Sequence, residues 1–288
     1  MKYVSTTLVF VVSAFLALGL VMLYSSMMVH REGSFMGGQL LWCLIGLVIC
    51  AVAAQLDYQL LKKISLPMLI LAFVLLVLVL IPGIGINKNG ASRWLQLPGT
   101  TFQPSEFAKI ALIIALAHYC EKKGRKIHSL KYGLLLPGLV IGIFLGLIFI
   151  EPDWGSVALM AAVCGLMLFL AGTKIRHMAL PAIIIIPTAG YLLSQNTVRL
   201  NRIMSWLDPE GTKQGVGYQA WQSLIALGSG GTTGLGLGNG RQKLGFVPEH
   251  QTDFIFSVIG EELGLIATMA VVVGFALFVI CGAFISLK

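Results

Sequence analysis

The chain has 288 residues, of which 57% are hydrophobic and only 11% are charged. Soluble globular domains carry about 25% charged residues, so this composition excludes a water-soluble globule. The formal net charge is +8, but the basic residues lie in short clusters between apolar runs. A nucleic-acid-binding protein concentrates its basic residues on one face, so nucleic acid is not an expected partner.

Eight apolar runs with few charges predict eight transmembrane helices, because a membrane-spanning helix needs about 20 mostly apolar residues. The runs cover about 4–29, 36–56, 64–86, 107–120, 132–150, 154–173, 177–195 and 257–287. Strands of a membrane barrel would alternate over about ten residues, whereas these runs are apolar on all sides. The predicted fold is therefore an all-α polytopic membrane protein, with residues 1–288 as a single transmembrane domain.

The lysines and arginines of the short loops predict the orientation. With a cytoplasmic N-terminus, the inside positions are Lys2, Lys62, Lys63, Lys122, Lys123, Arg125, Lys126, Lys131, Lys174, Arg176 and Lys288. The short outside loops then hold only Arg31, Lys88 and Arg93. Because positive residues are enriched in cytoplasmic loops, both termini are predicted to be cytoplasmic. Residues 196–256 become one long extracytoplasmic loop.

The inside loops are too short for a nucleotide-binding domain, and the sequence has no phosphate-binding P-loop motif. ATP-driven transport and the use of a cytosolic nucleotide-sugar are therefore not expected. Polar and charged groups instead cluster in the outside loops. An enzyme there has no access to cytosolic nucleotides, whereas a lipid-diphosphate substrate supplies its own anchor and its own leaving group.

The outside loop at 87–106 leads into the fourth apolar run. Pro104 is predicted to occupy the first turn of that helix, where its missing N–H has no cost. Glu106 and Lys109 are three residues apart and share a helix face. They form either an internal ion pair or a pair that meets a substrate phosphate or sugar, and the spacing alone favours neither.

The fifth run carries glycine at every fourth position, at Gly138, Gly142 and Gly146. This spacing is typical of a helix face that packs closely against a neighbouring helix.

The long loop contains several further signals. Tyr218, Trp221, Leu224 and Ile225 recur at helical spacing and predict an interfacial or re-entrant helix. The glycine-rich stretch 228–240 is either a backbone cradle for phosphate or a flexible connector. Cations and carboxylates follow it, just before the last apolar run, and this combination is typical of an acid–base and anion-binding site. These residues are Arg241, Lys243, Glu249, His250 and Asp253.

Four stretches in chain order resemble the signature regions of one family: NGASRWLQLPGTTFQPSEFAK, EPDWGS, RLNRIMSWLDPEG and LGSGGTTGLGLGNGRQKLGFVPEHQTDFIFSVIGEELG. The sequence is similar to the SEDS proteins (shape, elongation, division and sporulation), which polymerise bacterial cell-wall glycan. The segment RQKLGFVPE is closer to the division and sporulation branch than to the rod-elongation branch. The family usually has ten helices, so the resemblance predicts that this chain lacks the last two.

The resemblance implies a catalytic role for Asp253, in the TDFIF motif. It also implies functional roles for the Arg93–Trp94 pair, for Glu106 with Lys109, and for the two arginines that precede LDP. The complete set of expected substrate-binding residues is Arg93, Trp94, Glu106, Lys109, Arg199, Arg202, Arg241, Lys243, Glu249 and His250.

The expected function is that of a peptidoglycan glycosyltransferase on the outer face of the bacterial cytoplasmic (inner) membrane. It would polymerise lipid II, an undecaprenyl-diphosphate-linked precursor, into glycan strands during division or sporulation. Asp253 would act as the general base of an inverting displacement, which at neutral pH requires burial at the membrane interface. No cofactor is required by the sequence. A divalent cation (Mg²⁺ or Mn²⁺) is compatible with the chemistry, although no compact carboxylate motif demands it.

The resemblance implies a class B penicillin-binding protein and other division or elongation membrane proteins as partners. Two alternatives remain open at this point. A lipid II flippase or transporter would also show broken helices and intramembrane charges. A non-catalytic scaffold for the penicillin-binding protein would keep the fold without the chemistry.

Overall fold

The computed structural model describes residues 2–27, 33–88, 91–97, 100–241 and 253–287. The first helices are α1 (Lys2–Met27), α2 (Gly33–Gln55) and α3 (Gln59–Leu80), and strands β1 (Gly85–Lys88), β2 (Ala91–Leu97) and β3 (Thr100–Phe102) follow. Next come α4 (Pro104–Lys123), a 3-10 turn (Gly124–His128), a π-helical turn (Lys131–Leu135), α5 (Leu136–Ile150) and α6 (Trp154–Leu170). The last helices are α7 (Ile175–Ser194), α8 (Thr197–Leu207), α9 (Tyr218–Ser229) and α10 (Ile255–Ser286).

Each of the eight predicted apolar runs contains a helix, which confirms an all-α, polytopic membrane fold. Within the described ranges, six helices are long and apolar enough to cross a membrane: Tyr3–Met27, Met36–Gln55, Gln59–Leu80, Lys131–Ile150, Ile175–Ser194 and Ile255–Ser286. The other two runs correspond to α6, which is apolar but only 17 residues long, and to α4, which carries charges at both ends. The number of crossings and the side on which each terminus lies stay predictions.

The contacts divide the chain into two compact units. The first consists of Met1–Ala54 and Tyr191–Lys288, and the second of Gln55–Gly190. The assignment of residues 1–288 to one transmembrane domain stays a prediction, as does the extracytoplasmic position of residues 196–256.

The first unit is built on the packing of α1 against α10. Met22 is fully buried beside Val258 and Ile259, and the rings of Phe15 and Phe275 lie 4.7 Å apart. Gly264 interrupts α10 with φ 76° and ψ −172°, a conformation that is readily accessible only to glycine. The interruption lets another segment approach the helix at this point.

The second unit has its core among α3, α4, α5 and α6. Leu76, Leu112, Phe144 and Met160 represent the four helices in this core, and each is at most 3% exposed. Many other apolar side chains are exposed, as on α7, where Ile183, Ile184 and Ile186 are 69–70% exposed. Lipid covers such surfaces in a membrane protein, so their exposure agrees with the membrane assignment.

A three-stranded antiparallel sheet, which the sequence analysis did not predict, precedes α4. In its register, Gly85 faces Leu95 and Ile86 faces Trp94 across β1 and β2, while Leu95 faces Phe102 across β2 and β3. β3 ends close to the first residue of α4. The sheet therefore positions Arg93 and Trp94 beside the beginning of that helix.

The predicted close-packing face of the fifth run is wrong for the described part of the chain. A Cβ added at Gly138, Gly142 or Gly146 would have no described heavy atom within 4 Å. The repeated glycines leave this face of α5 smooth, but no described backbone approaches it.

Candidate functional site

The predicted site residues fall in both units, and each unit is described by itself. The first unit holds Arg199, Arg202, Arg241 and Asp253 on or near α8 and α10. The second unit holds Arg93 and Trp94 on β2, and Glu106 and Lys109 on α4. Lys243, Glu249 and His250 lie outside the described residues.

In the first unit, the glycine-rich stretch folds around a buried carboxylate of α10. The side chain of Glu262 is 0% exposed. Its Oε2 accepts hydrogen bonds from the Ser25 hydroxyl at 2.6 Å and from the Gly238 amide at 2.9 Å. Its Oε1 accepts one from the Gly240 amide at 3.3 Å. Amide and hydroxyl donors therefore satisfy a buried carboxyl group that would be very costly without hydrogen bonds.

Glu261, which is 1% exposed, fixes the end of the same stretch. Its Oε1 accepts a hydrogen bond from the Arg241 amide at 2.8 Å. The backbone carbonyls of Glu261 and Glu262 accept from the amides of Leu235 and Gly236, both at 2.9 Å. The stretch thus follows the first turns of α10 with backbone and side-chain bonds together.

Glycine is required where the stretch crosses α10, because the two backbones nearly touch. A Cβ at Gly230 would lie 1.9 Å from the Gly260 carbonyl oxygen, and one at Gly234 would lie 2.2 Å from the Glu262 carbonyl oxygen. The close approach also requires glycine on α10 itself. A Cβ at Gly264, where α10 is interrupted, would lie 2.4 Å from the Gly234 amide nitrogen.

Both predicted roles of the glycine-rich stretch need correction. The amides of Gly238 and Gly240 bind the chain's own carboxylate, so they do not form a vacant phosphate cradle, and the stretch is pinned rather than flexible. The sequence analysis missed Glu261 and Glu262. The available signal was a pair of adjacent acidic residues inside an apolar run, where charges are functional or structural by default.

Asp253 lies directly before α10, in a turn, and its side chain is exposed. The burial that base catalysis requires is therefore not provided by the described residues. Arg241 is also exposed at its side chain, although its backbone amide is held by Glu261.

α8 carries the two predicted arginines. Asn196 caps the helix by accepting a hydrogen bond from the Arg199 amide at 3.2 Å. Arg202 follows three residues later on the same face and is exposed.

The predicted helix of the long loop is confirmed as α9. The Lys213 ammonium lies 5.5 Å from the centre of the Trp221 ring, close enough for a cation–π contact. Its position at a membrane interface stays a prediction.

In the second unit, Arg93 is anchored to the turn between α5 and α6. Its Nε donates to the Glu151 carbonyl oxygen at 2.9 Å, and its Nη2 donates to the Pro152 carbonyl oxygen. Asp153 in the same turn caps α6 through the Ser156 amide at 3.2 Å and accepts from Gln103 Nε2 at 3.2 Å. The turn therefore connects β2, the start of α4 and the start of α6.

Glu151 is a third residue that was not among the predicted site residues. Its side chain is 1% exposed, and neither carboxyl oxygen has a hydrogen-bond partner among the described residues. Burial, with the neighbouring charge of Asp153, raises the pKa of the Glu151 carboxyl to about 8, and the Arg93 guanidinium opposes this rise only in part. The carboxyl is therefore mostly protonated at neutral pH.

Glu106 and Lys109 form an ion pair at 2.8 Å in the first turns of α4. The helix begins at Pro104, as predicted. Glu106 is 59% exposed whereas Lys109 is 21% exposed, so an exposed pair of this kind contributes little to stability. The geometry fits an internal pair and leaves the Glu106 carboxylate open to the surface.

Within the described ranges, no group of three or more His, Cys, Asp or Glu side chains is arranged to hold a metal ion. The compatibility of the chemistry with Mg²⁺ or Mn²⁺ stays a prediction.

The all-α fold and its long apolar helices define a multi-pass membrane protein. The family model of the FtsW/RodA/SpoVE cell cycle proteins matches residues 5–288. The chain belongs to this family.

Two similar relatives have curated names. The sequence is 44% identical over 271 residues to a probable peptidoglycan glycosyltransferase FtsW of Trichlorobacter lovleyi, covering 92% of this chain and 71% of the relative. It is 36% identical over 287 residues to the stage V sporulation protein E of Bacillus subtilis, covering 97% and 78%. These names place the chain in the division and sporulation branch.

Two solved structures share the fold. One is a chain of a peptidoglycan synthase complex that coordinates polymerization and crosslinking. It has a TM-score of 0.73 and 26% identity, covering 94% of this chain and 74% of that one. The rod shape determining protein RodA of Thermus thermophilus has a TM-score of 0.62 at 24% identity, covering 94% and 71%, and it shows the fold alone.

Proposed function

We propose that this protein is a peptidoglycan glycosyltransferase that polymerises lipid II into glycan strands on the outer face of the cytoplasmic membrane. The observation that carries the proposal is the 44% identity to a probable peptidoglycan glycosyltransferase over 92% of the chain. The described geometry supports it, because Asp253, to which the family resemblance assigns the catalytic role, is exposed.

The reaction is an inverting displacement. A sugar hydroxyl of the acceptor attacks the anomeric carbon of the donor, the bond from that carbon to the diphosphate oxygen breaks, and the lipid diphosphate leaves. Asp253 accepts the proton of the attacking hydroxyl. Its exposure before α10 leaves the carboxylate accessible to a substrate, and the bound substrate itself must exclude water from it.

The developing negative charge on the leaving diphosphate requires cations. Arg241 and Lys243 precede Asp253 along the chain, and Arg93 and Lys109 offer further positive charge in the second unit. Trp94, Glu106, Arg199, Arg202, Glu249 and His250 complete the set proposed to bind the sugar, peptide or diphosphate groups of the substrate.

The glycine-rich stretch has a structural part in this proposal. Glu261 and Glu262 fix residues 235–241 along α10. The position of Arg241, which precedes residues 242–252 in the chain, is therefore defined. Asp253 follows those residues and lies just before α10.

We also infer that the protein works with a cross-linking partner, and we propose that this partner is a class B penicillin-binding protein. Other division or elongation membrane proteins are proposed as further partners. The support is the structural likeness at 26% identity to a chain of a peptidoglycan synthase complex. We propose that the site faces the outside of the bacterial cytoplasmic membrane. The support is that most lysines and arginines of the short loops fall on the side predicted to be cytoplasmic.

Purified protein incubated with lipid II, alone and with a cognate penicillin-binding protein, tests the proposal by gel analysis of the glycan. The wild-type protein is expected to make glycan, and Asp253→Asn is expected to make none at equal protein level. Asp57→Asn is the matched control, since Asp57 lies outside the proposed site and its side chain accepts a hydrogen bond from the Gln59 amide, which an asparagine side-chain oxygen can also accept.

Glycan synthesis by Asp253→Asn would overturn the catalytic assignment. Transfer of fluorescent lipid II across vesicles without glycan extension would replace the enzyme by a flippase. Absence of glycan both alone and with the penicillin-binding protein, in a protein that still binds that partner, would replace the enzyme by a scaffold.

A further inference from the structure

Arg93 is held entirely by neutral acceptors in the described structure. Its two hydrogen bonds go to the backbone carbonyls of Glu151 and Pro152. Arginine has five N–H donors in a rigid fork, and a carbonyl cancels none of its formal charge. The guanidinium is therefore fixed in place and still carries a full positive charge, which is the state that an anion-binding group requires.

The Glu151 carboxyl is a candidate to cancel that charge, and it does not do so. The carboxyl lies near enough to Arg93 for the two groups to interact electrostatically. However, they form no ion pair, and both carboxyl oxygens lack a partner among the described residues. A buried carboxylate without partners is very unfavourable, so such a group keeps its proton instead.

We propose that Glu151 is a positioning residue that keeps Arg93 available to the substrate diphosphate by remaining protonated. In its neutral form it forms no ion pair with the guanidinium, whose hydrogen bonds go to the backbone carbonyls. In its ionised form it would attract the guanidinium and compete with the diphosphate for the same N–H groups. The inference rests on the proposed function, because it concerns how lipid II is held.

Of the charged groups in and beside this turn, we expect the Glu151 carboxyl to change its protonation state in the neutral to alkaline range. Asp153, in the same turn, accepts hydrogen bonds from Gln103 and from the Ser156 amide. Arg93, from β2, stays charged at every accessible pH. Lys109, from α4, is paired with Glu106.

The expected effect appears as the pH rises. With a pKa of about 8, the Glu151 carboxyl is about one-tenth ionised at pH 7 and about nine-tenths ionised at pH 9. The affinity for lipid II should fall across this interval by roughly tenfold, the factor expected for the loss of one hydrogen bond to a charged group.

The experiment measures the dissociation constant for fluorescent lipid II between pH 6.5 and 9.5 in detergent-solubilised, full-length protein. All variants carry Asp253→Asn, so that turnover does not disturb the binding. Glu151→Gln is expected to bind lipid II at pH 7 as the parent does, and to lose the decline towards pH 9. Glu151→Met, an apolar side chain of similar size, should give the same flat profile. Glu210→Gln, at an exposed position, should keep the parental profile.

A double-mutant cycle shows whether Glu151 acts through Arg93. Arg93→Gln should weaken binding at every pH, and Glu151→Gln in that background should change nothing further. A merely structural role for Glu151 would lower thermal stability without removing the pH dependence of binding.

The inference fails if the parent and Glu151→Gln show the same dependence on pH, or if Glu151→Gln still changes binding in the Arg93→Gln background. Absence of saturable lipid II binding at every pH would overturn both the inference and the proposed function. Glycan synthesis by Asp253→Asn would overturn only the catalytic assignment, because binding is measured separately.

Discussion

The substitution Glu262→Ala tests whether the buried carboxylate of α10 is what pins the glycine-rich stretch. Among the described residues, three donors bind the Glu262 side chain: the Ser25 hydroxyl at 2.6 Å and the amides of Gly238 and Gly240 at 2.9 and 3.3 Å. Alanine removes the acceptor and leaves all three donors behind. The segment that precedes Asp253 should then open locally.

The magnitude follows from those donors. Each buried donor left unsatisfied costs about 1–3 kcal/mol. The Ser25 hydroxyl can rotate towards another acceptor, so the two amides dominate, and their loss amounts to about 3 kcal/mol of local stability. Because about 1.4 kcal/mol corresponds to a factor of ten, the open state of residues 238–240 should become roughly a hundredfold more populated.

Hydrogen exchange followed by mass spectrometry measures this opening directly. The amides of Gly238 and Gly240 should exchange roughly a hundredfold faster in Glu262→Ala. The amides of Leu235 and Gly236 should change much less, because they donate to backbone carbonyls of α10, which the substitution leaves in place.

Two further variants make the result interpretable. Glu262→Gln keeps one acceptor oxygen, so Ser25 and Gly238 can retain their bonds while Gly240 loses its own. Exchange should therefore rise by roughly tenfold at Gly240 alone. Glu210→Gln, whose exposed carboxylate lies 3.7 Å from Lys213, removes an ion pair worth at most about 1 kcal/mol and should leave the stretch unchanged.

Unchanged exchange at Gly238 and Gly240 in a folded Glu262→Ala protein would refute the reasoning. So would a uniform increase over the whole chain, because that pattern indicates global destabilisation rather than the release of one segment.

Two other predictions concern stability. Gly230→Ala should cause a large fall in Tm, because its Cβ would lie 1.9 Å from the Gly260 carbonyl oxygen and would prevent stable packing of the glycine-rich stretch on α10. Gly228→Ala is the control. It should be neutral or stabilising, because no described atom lies within 4 Å of its Cβ. Glu151→Gln should remove part of the pH dependence of stability. The Glu151 carboxyl keeps its proton up to about pH 8 in the folded protein, but only up to about pH 4.5 in the unfolded chain. As the pH rises between these values, the wild-type protein should therefore lose about 1.4 kcal/mol of stability per pH unit relative to the variant. A Tm difference between wild type and Glu151→Gln that does not change from pH 5 to pH 8 would contradict the second prediction.

Composition and local spacing predicted the features that depend on neighbouring residues alone. The helices follow from the lengths of the apolar runs. Pro104 marks the start of α4 because proline suits the first helical turn. The ion pair of Glu106 with Lys109 follows from residues three apart on one face. None of these inferences requires knowledge of a distant contact.

The sheet was missed because its signal is weak over so short a distance. β1 and β3 have four and three residues, and β2 does not alternate polar and apolar residues along its length. Pairing of Gly85 with Leu95 and of Leu95 with Phe102 supplies what the pattern lacks. Register of this kind is a property of the folded chain.

Glycine was the residue whose role depended most on tertiary structure. At Gly138, Gly142 and Gly146 the spacing predicted a close approach that the described structure does not have, whereas Gly230 and Gly234 do meet another backbone. A missing side chain permits contact but does not specify a partner. Only the distances in the folded protein separate the two cases.

The two clusters show one physical solution to the presence of charge in a membrane protein. Glu262 is stabilised by amide and hydroxyl donors, and Arg93 is held by backbone carbonyls. The backbone carbonyls fix the Arg93 guanidinium in position without cancelling its charge, and such dipoles need no reorganisation when a substrate binds. Glu151 is the contrasting case, a buried carboxyl without such dipoles among the described residues, and it avoids the cost by keeping its proton. Adding a donor beside Glu151 should therefore lower its pKa, ionise it at neutral pH and weaken the hold of Arg93 on an anionic substrate.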